Sequence, residues 1–353
     1  MHLPGWHSTR KIVVLESDDW GTIRMASNEA YQQLLQRGYP VNQCSYNSND
    51  ALECNEDLEQ LFEVLNSVRD KNNRPAILTA NNIVGNPDFE KIKASDFNEY
   101  HFETFDKTLQ RYPKHNRVMD LYKEGIEKKL IQPQFHGREH LNVANWMKAL
   151  QQKDQTALDA FECNMFTTHN GINPSGRSEF LDAFATPDAA TIAIEGLEIF
   201  KSIWGFQSAS FIAPCYIWPS SLEPALAKYG VKFIQSITWQ QDPDATGTSY
   251  KKRFHFMGQK NHYGQFYLMR NCFYEPAQQP KFNWIDDCLQ RMEIAFRWKK
   301  PAIIGTHRIN YTGLIQPQNR TKGLNGLEQL LKTIVKKWPD VEFMSSDELG
   351  ALL

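Results

Sequence analysis

Three short clusters in this chain combine carboxylates with imidazoles, the side chains that hold and use divalent metal ions. The first, Glu16-Ser17-Asp18-Asp19-Trp20-Gly21, sets two aspartates side by side directly after an apolar run at 11–15. Adjacent carboxylates repel each other, so stability alone gives little reason for the pair. A solvated turn that caps the next helix is the plain alternative. The second cluster is Phe135-His136-Gly137-Arg138-Glu139-His140. Histidines four residues apart can share one face of a helical turn and converge on one ion, although two surface histidines give the same spacing. The third, Ile303-Ile304-Gly305-Thr306-His307-Arg308, places a lone histidine behind another apolar run. A lone histidine is more often structural. Together the three contain what metal-assisted hydrolysis requires: ligands, an open position for water, a base and an acid.

The elements that must position these residues follow from the hydrophobic pattern. Apolar runs at 11–15, 75–80, 130–135, 209–213, 231–237, 301–304 and 341–344 read as strands. Between them lie helical patterns. Asn28 caps one that Gly38 stops, and Leu58, Leu61, Phe62, Leu65 and Val68 share a face. A helix at 142–151 is followed by a long helical region through 168. Pro187 opens a helix that Gly205 closes, and Ser220 with Glu223 forms a capping box for one ended by Gly230. Further helices are expected near 284–297 and 324–337. Residues 253–274 alternate aromatic and polar groups around Gly264, the pattern of an inserted β-hairpin. About seven strands interleaved with helices predict an α/β architecture with parallel strands. Each chemical cluster then stands at a strand end, where such folds place their active sites.

Composition excludes several classes of function. Of 353 residues, 41% are hydrophobic, enough for a large core without disulfide staples. The 39 basic and 41 acidic side chains leave a net charge of −2, with no basic stripe for nucleic acid. No run approaches the ~18 apolar residues of a membrane span. The segment Met1 to Lys11 has no signal-peptide-like apolar stretch, so a cytoplasmic location is expected unless a leader has been removed. Cys44, Cys54, Cys163, Cys215, Cys272 and Cys288 are scattered without a C-x-x-C pair, which fits reduced thiols.

The clusters resemble the polysaccharide deacetylase (NodB-homology) superfamily, carbohydrate-esterase-like enzymes that hydrolyse N- or O-acetyl groups on sugars. The T-F-D-D-G of that family corresponds to Ser17-Asp18-Asp19-Trp20-Gly21, with a tryptophan intervening. Its H-[S/T]-x-x-H corresponds to His136-Gly137-Arg138-Glu139-His140. Its R-x-P-Y-like motif is degraded to Phe211-Ile212-Ala213-Pro214-Cys215-Tyr216, which keeps the proline and lacks the arginine. Asn283-Trp284 stands for a D-W that opens a helix, and His307 for the L-x-H histidine, so the order spans 12 to 345. The resemblance implies a distorted (β/α)7-type barrel with loop and β-hairpin insertions. It reads 1–353 as a single catalytic domain, with insertions near 40–72, 85–117, 152–185 and 240–280.

For the site, the resemblance implies that Asp19, His136 and His140 hold one divalent ion, Zn²⁺ foremost, with Co²⁺, Ni²⁺, Mn²⁺ or Fe²⁺ as alternatives. Asp18 would be the base acting on the attacking water, and His307 the acid on the far side of the scissile bond. With the family's arginine replaced by Ile212, a different arginine is expected to orient Asp18: Arg308 first, Arg138 second, with Arg24 as a further candidate. Trp20, Tyr216 and Trp218 are candidates for stacking on sugar rings, or else for packing. Asn81, Asn82, Asn86, Pro214, Asn310 and Tyr311 are candidate site-lining groups. Cys215 has no neighbouring base, which disfavours a nucleophile there. The expected partner is an acetylated sugar or oligosaccharide, with no nucleic acid and the oligomeric state left open. Two rivals are a sugar-binding barrel weakened by the missing arginine and a zinc protease reading His136-Gly137-Arg138-Glu139-His140 as H-x-x-E-H.

Overall fold

The computed structural model describes residues 4–168, 180–244, 247 and 249–353. Nine strands form one sheet: β1 (Lys11–Trp20), β2 (Leu78–Ile83), β3 (Ile131–Gly137), β4 (Ser210–Phe211), β5 (Phe233–Ser236), β6 (Phe266–Met269), β7 (Cys272–Phe273), β8 (Ala302–His307) and β9 (Val341–Met344). Every pairing within it is parallel. The order is β6-β5-β4-β3-β2-β1-β8-β7, with β9 beside the first half of β1. The two ends of that order are successive stretches of one chain segment, 266–273. The Arg270 amide bonds the Ser236 carbonyl (2.9 Å) and the Asn271 amide bonds that of Ile303 (3.1 Å), so the segment passes from β5 to β8. The sheet therefore curls into a distorted α/β barrel that closes at Arg270.

All seven strands read from the sequence lie in this sheet. The hairpin is displaced. Its antiparallel strands are Trp239–Pro243 and Tyr250–Phe254, whereas 266–273 joins the barrel instead of an insertion. The reason is burial: Tyr267, Leu268 and Met269 are enclosed on both faces, as in a parallel core strand, not on one face as in a surface hairpin. The helix expected at 142–151 is present as Val143–Gln151, whereas the long helical region expected after it through 168 is the short helix Gln155–Glu162, opened by the Asp154 cap. Residues 169–179 of the segment expected as an insertion at 152–185, and 245, 246 and 248 of that at 240–280, lie outside the described residues.

The alternation along β1 explains where the polar site sits. Val13 and Leu15 face outward into a core shared with the helices Asn55–Asn66, Val118–Glu127, Trp284–Arg297 and Pro317–Lys337. Ile12 and Val14 face the other way, packing with Ile234, Leu268, Ile303 and Met344. Continuing that inner face by twos reaches Glu16 and Asp18, both buried. The interior thus changes from apolar to ionic toward the carboxyl ends of the strands. The six cysteines, all among the described residues, form no disulfide. Among the described residues, no helix is long and apolar enough to cross a membrane.

Candidate active site

Strict alternation would send Asp18 and Asp19 to opposite faces of the sheet. A register slip against β2 between Ser17 and Trp20 prevents this, and Asp19 takes a left-handed backbone conformation (φ 73°). Such a bulge re-aims a side chain, and the left-handed region costs a non-glycine residue roughly 1–2 kcal/mol. Both carboxylates consequently line one cavity of about 230 Å³, together with Thr22, Arg24, Tyr46, Asp50, His136, His140 and His307. Gly21 (φ 84°) completes the turn; a Cβ there would lie 2.3 Å from the Ile83 carbonyl oxygen. Trp20 is drawn into the core instead of the cavity, its Nε1 donating to Ser17 Oγ (2.9 Å) and its ring meeting Tyr122 edge-on.

His136 occupies the end of β3, where a second register slip falls, and Gly137 adopts φ 142°. The backbone then bends, and no helix forms until Val143. The two histidines therefore stand on a strand end and a bend, not on one face of a helical turn. The convergence survives by that other route: each Nε2 lies 3.4 Å from Asp19 Oδ1. One ligand atom from each of Asp19, His136 and His140 lies within 4.8 Å of the others. His136 Nδ1 donates to the Ile212 carbonyl oxygen at 2.9 Å, a contact that fixes the ring and turns Nε2 toward Asp19. Buried His140 Nδ1 has no hydrogen-bond partner among the described residues. Burial pushes the His140 pKa down to about 4, against the pull of Asp19, so the ring is neutral at pH 7. Burial opposes ionisation of Asp19, but its hydrogen bond with His136 and the nearby imidazoles hold its pKa well below the ordinary range. A carboxylate oxygen with two imidazoles is a donor set that fits Zn²⁺ and related ions.

Asp18 is fixed by the arginine at which the barrel closes. Arg270 Nη1 and Nη2 donate to Asp18 Oδ2 (2.7 Å) and Oδ1 (2.6 Å), while its Nε donates to Glu16 Oε2 (2.8 Å). An arginine does contact Asp18, as expected, but it is neither Arg308 nor Arg138. Arg308 is buried against Asp50 and Glu53, and Arg138 pairs with Glu139 and Glu195. Asn81 Nδ2 adds a 2.8 Å bond to Asp18 Oδ1 from inside the barrel. Burial would raise the Asp18 pKa, but the Arg270 charge and hydrogen bonds, with His136 and His307 nearby, hold it below the ordinary value. Glu16, deeper still, is raised by burial despite the same guanidinium.

His307 ends β8 with Nε2 3.7 Å from Asp18 Oδ2 and Nδ1 2.6 Å from Glu275 Oε1. The two groups thus stand side by side, not on opposite sides of a gap. Burial would favour neutral imidazole, but Glu275, Asp19 and Asp18 outweigh it and raise the His307 pKa to about 10. Asn310 Nδ2 donates to the other Glu275 oxygen (2.9 Å) and to the His307 carbonyl (3.0 Å). The Tyr46 ring meets the imidazole edge-on at 5.9 Å.

Several candidates from the sequence stand behind the cavity wall, Asn81 holding Asp18 and Asn310 holding Glu275, while others pack. Asn81, Asn310, Tyr311 and Pro214 are buried and line no part of the cavity; Tyr311 bonds Thr306. Trp218 is buried against His255, and Asn283-Trp284 caps and opens a helix. Asn82 and Asn86 are also buried, Asn86 bridging Gly21 and Ile23. Tyr216 and Cys215 do line the cavity, and the Tyr216 hydroxyl accepts from Arg270 Nη1 at 3.0 Å. Sequence reasoning missed Arg270 and Glu275. Arg270 had a signal, since it follows an apolar run as the other clusters do; Glu275 sits in a connection and had none.

No family model matches the chain, and no curated protein matches it. Solved structures similar to it include a 4-alpha-glucanotransferase from Thermococcus litoralis (9% identity, 98% of this chain and 40% of that one, TM-score 0.48). This chain therefore spans about two fifths of that protein's length. They also include a protein described as a polysaccharide deacetylase from Mycobacterium smegmatis (10% identity, 99% and 92% covered, TM-score 0.46). A family 4 carbohydrate esterase from Streptomyces lividans is similar at 10% identity over 98% and 97% of the two chains, with a TM-score of 0.36.

Arg270 is fully enclosed, so its removal leaves Glu16 and Asp18 charged without a counter-ion. Breaking a buried ion pair this way costs about 3–5 kcal/mol. Arg270→Met is expected to lower the unfolding free energy read from urea titration at pH 7 by that amount, whereas Arg291→Met, which removes a surface pair with Asp287, is expected to change it by less than about 1 kcal/mol. Equal free energies for the two variants would contradict the assignment of Arg270 as the central support.

Proposed function

We propose that the chain is a metal-dependent hydrolase that removes N- or O-linked acetyl groups from a carbohydrate, with 1–353 acting as one catalytic domain. The observation that carries the reading is the meeting, in one cavity, of the Asp19–His136–His140 donor set with a second carboxylate and a protonated imidazole. Asp19, His136 and His140 would hold the ion, Zn²⁺ foremost. When bound, such an ion supplies Lewis acidity, polarising the acyl carbonyl and lowering the pKa of water from ~15.7 toward ~7.

The remaining roles belong to this chain's own groups. Asp18, kept ionised and fixed by the fork of Arg270, takes the proton of the attacking water at a carboxylate oxygen. His307, kept protonated by Glu275, delivers a proton from Nε2 to the departing amine or alcohol. Because these two groups lie 3.7 Å apart, the scissile bond is placed above the pair, and the proton gained by Asp18 can return to His307 between turnovers.

A binding-only barrel rests on the third motif's lack of an arginine, but an arginine does hold Asp18, Arg270 from a neighbouring strand end. The protease reading needs a helix through both histidines and a glutamate facing the ion. The backbone there is a strand end and a bend, and Glu139 is bound by Arg138 and Tyr100.

Acetate release from acetylated amino sugars, measured with and without chelator, tests the reading: release should stop on metal removal and resume on adding Zn²⁺. Asp18→Asn should keep metal affinity and lower turnover by ~10²–10⁴-fold, whereas Asp19→Asn should lose the metal itself. Equal metal loss in both variants would show that the roles are misassigned.

The acid's protonation gives a separate pH test. Glu275→Gln removes the largest influence raising the His307 pKa, its charge and hydrogen bond, so the pKa falls. The alkaline limb of the kcat profile should move to lower pH while the acid limb stays. An unmoved alkaline limb would exclude His307 as the acid.

A further inference from the structure

Most charges around the cavity are already matched. Asp18 is neutralised by Arg270, Asp50 by Arg308 and His307 by Glu275, while Asp19 belongs to the proposed metal donor set. Arg24 is the exception. Its side chain is nine-tenths buried, with 6% of the residue exposed, and it lines the cavity beside Asp19 and Tyr46. Its hydrogen bonding is confined to a 3.3 Å contact from Nε to Asn47 Oδ1, and its guanidinium lies 5.2 Å from the centre of the Tyr46 ring. Among the described residues, no carboxylate pairs with it and nothing accepts from Nη1 or Nη2.

A buried guanidinium without an acceptor for its fork is costly, and the geometry of that fork matches a carboxylate or a phosphate. The aromatic face beneath it offers partial compensation but no directional partner. We propose that Arg24 selects the substrate: the acetylated sugar carries an anionic substituent, a carboxylate or a phosphate, that docks on the Arg24 fork. The inference rests on the deacetylase reading for the sugar, but the anion site is testable without it. The cavity, below the ~300–1,000 Å³ of drug-sized sites, leaves room for one sugar ring carrying that substituent. Arg24 touches the substrate in this account and takes no part in proton transfer.

The test is calorimetric titration of the full, metal-free chain with inorganic phosphate and, separately, with acetate, at fixed ionic strength. Saturable binding of at least one anion is expected, weakened tenfold or more in Arg24→Gln and several-fold in Arg24→Lys, which keeps the charge and loses the fork. The better-bound anion identifies which substituent the site takes. Absence of saturable binding by both anions, or affinities equal across the wild type and Arg24→Lys, would overturn the assignment, and the second criterion applies even if Arg24→Gln does not fold. A chain that binds the anion through Arg24 yet releases acetate from no sugar would leave the anion site standing and remove the deacetylase reading. A chain that deacetylates a neutral amino sugar and shows no anion binding would do the reverse.

Discussion

Everything at the carboxyl end of this barrel depends on one guanidinium held in the dry interior between two carboxylates. Glu16 and Asp18 lie on the same inner face of β1, Glu16 fully enclosed and Asp18 opening onto the cavity, and Arg270 supplies hydrogen bonds to both. The geometry is demanding because the desolvation of three charged groups is repaid only by near-ideal contacts. It is met at the residue where the sheet closes on itself, so barrel closure and placement of Asp18 are one event. Tyr216 leans on the same guanidinium from a turn in which it and Cys215 are both left-handed (φ 57° and 56°), tying the fourth strand's end to the same point.

A second buried cation performs the matching task on the other side of the cavity. Arg308 binds Asp50 and Glu53 and also donates to the Thr22 carbonyl (2.8 Å), while Glu53 accepts from the Gly21 amide (3.1 Å). This set holds the turn that follows Asp19, and with it the left-handed conformation that turns two adjacent aspartates into one cavity. Arg308 thus acts on the first motif through the backbone and not through Asp18. The result is a base kept ionised, a neutral His140 and a protonated His307 within a few ångströms, three states set by three environments.

Much of this was legible in the sequence, and the failures have physical causes. The seven core strands announced themselves as short apolar runs, and the three chemical clusters did fall at strand ends. The strand at 266–269 was obscured because its neighbours alternate aromatic and polar residues like a hairpin. Losing that strand also hid Arg270, whose partner Asp18 is 252 positions away. Local spacing carries no information about such a contact. Trp20, Asn81, Asn310 and Tyr311 flank motifs, but flanking residues at a strand end alternate between cavity and core, so Asn81 and Asn310 support the site from behind while Trp20 and Tyr311 pack. His136 and His140 converge for a reason other than helical spacing: a bulge and a glycine at φ 142° shape the bend.

The most direct test of the account is anomalous diffraction from crystals grown with Zn²⁺. One ion is expected within ~2.0–2.2 Å of Asp19, His136 and His140, with Asp18 bound by Arg270 and free of the ion. An ion ligated by Glu139, or no ordered ion at these three side chains, would contradict it.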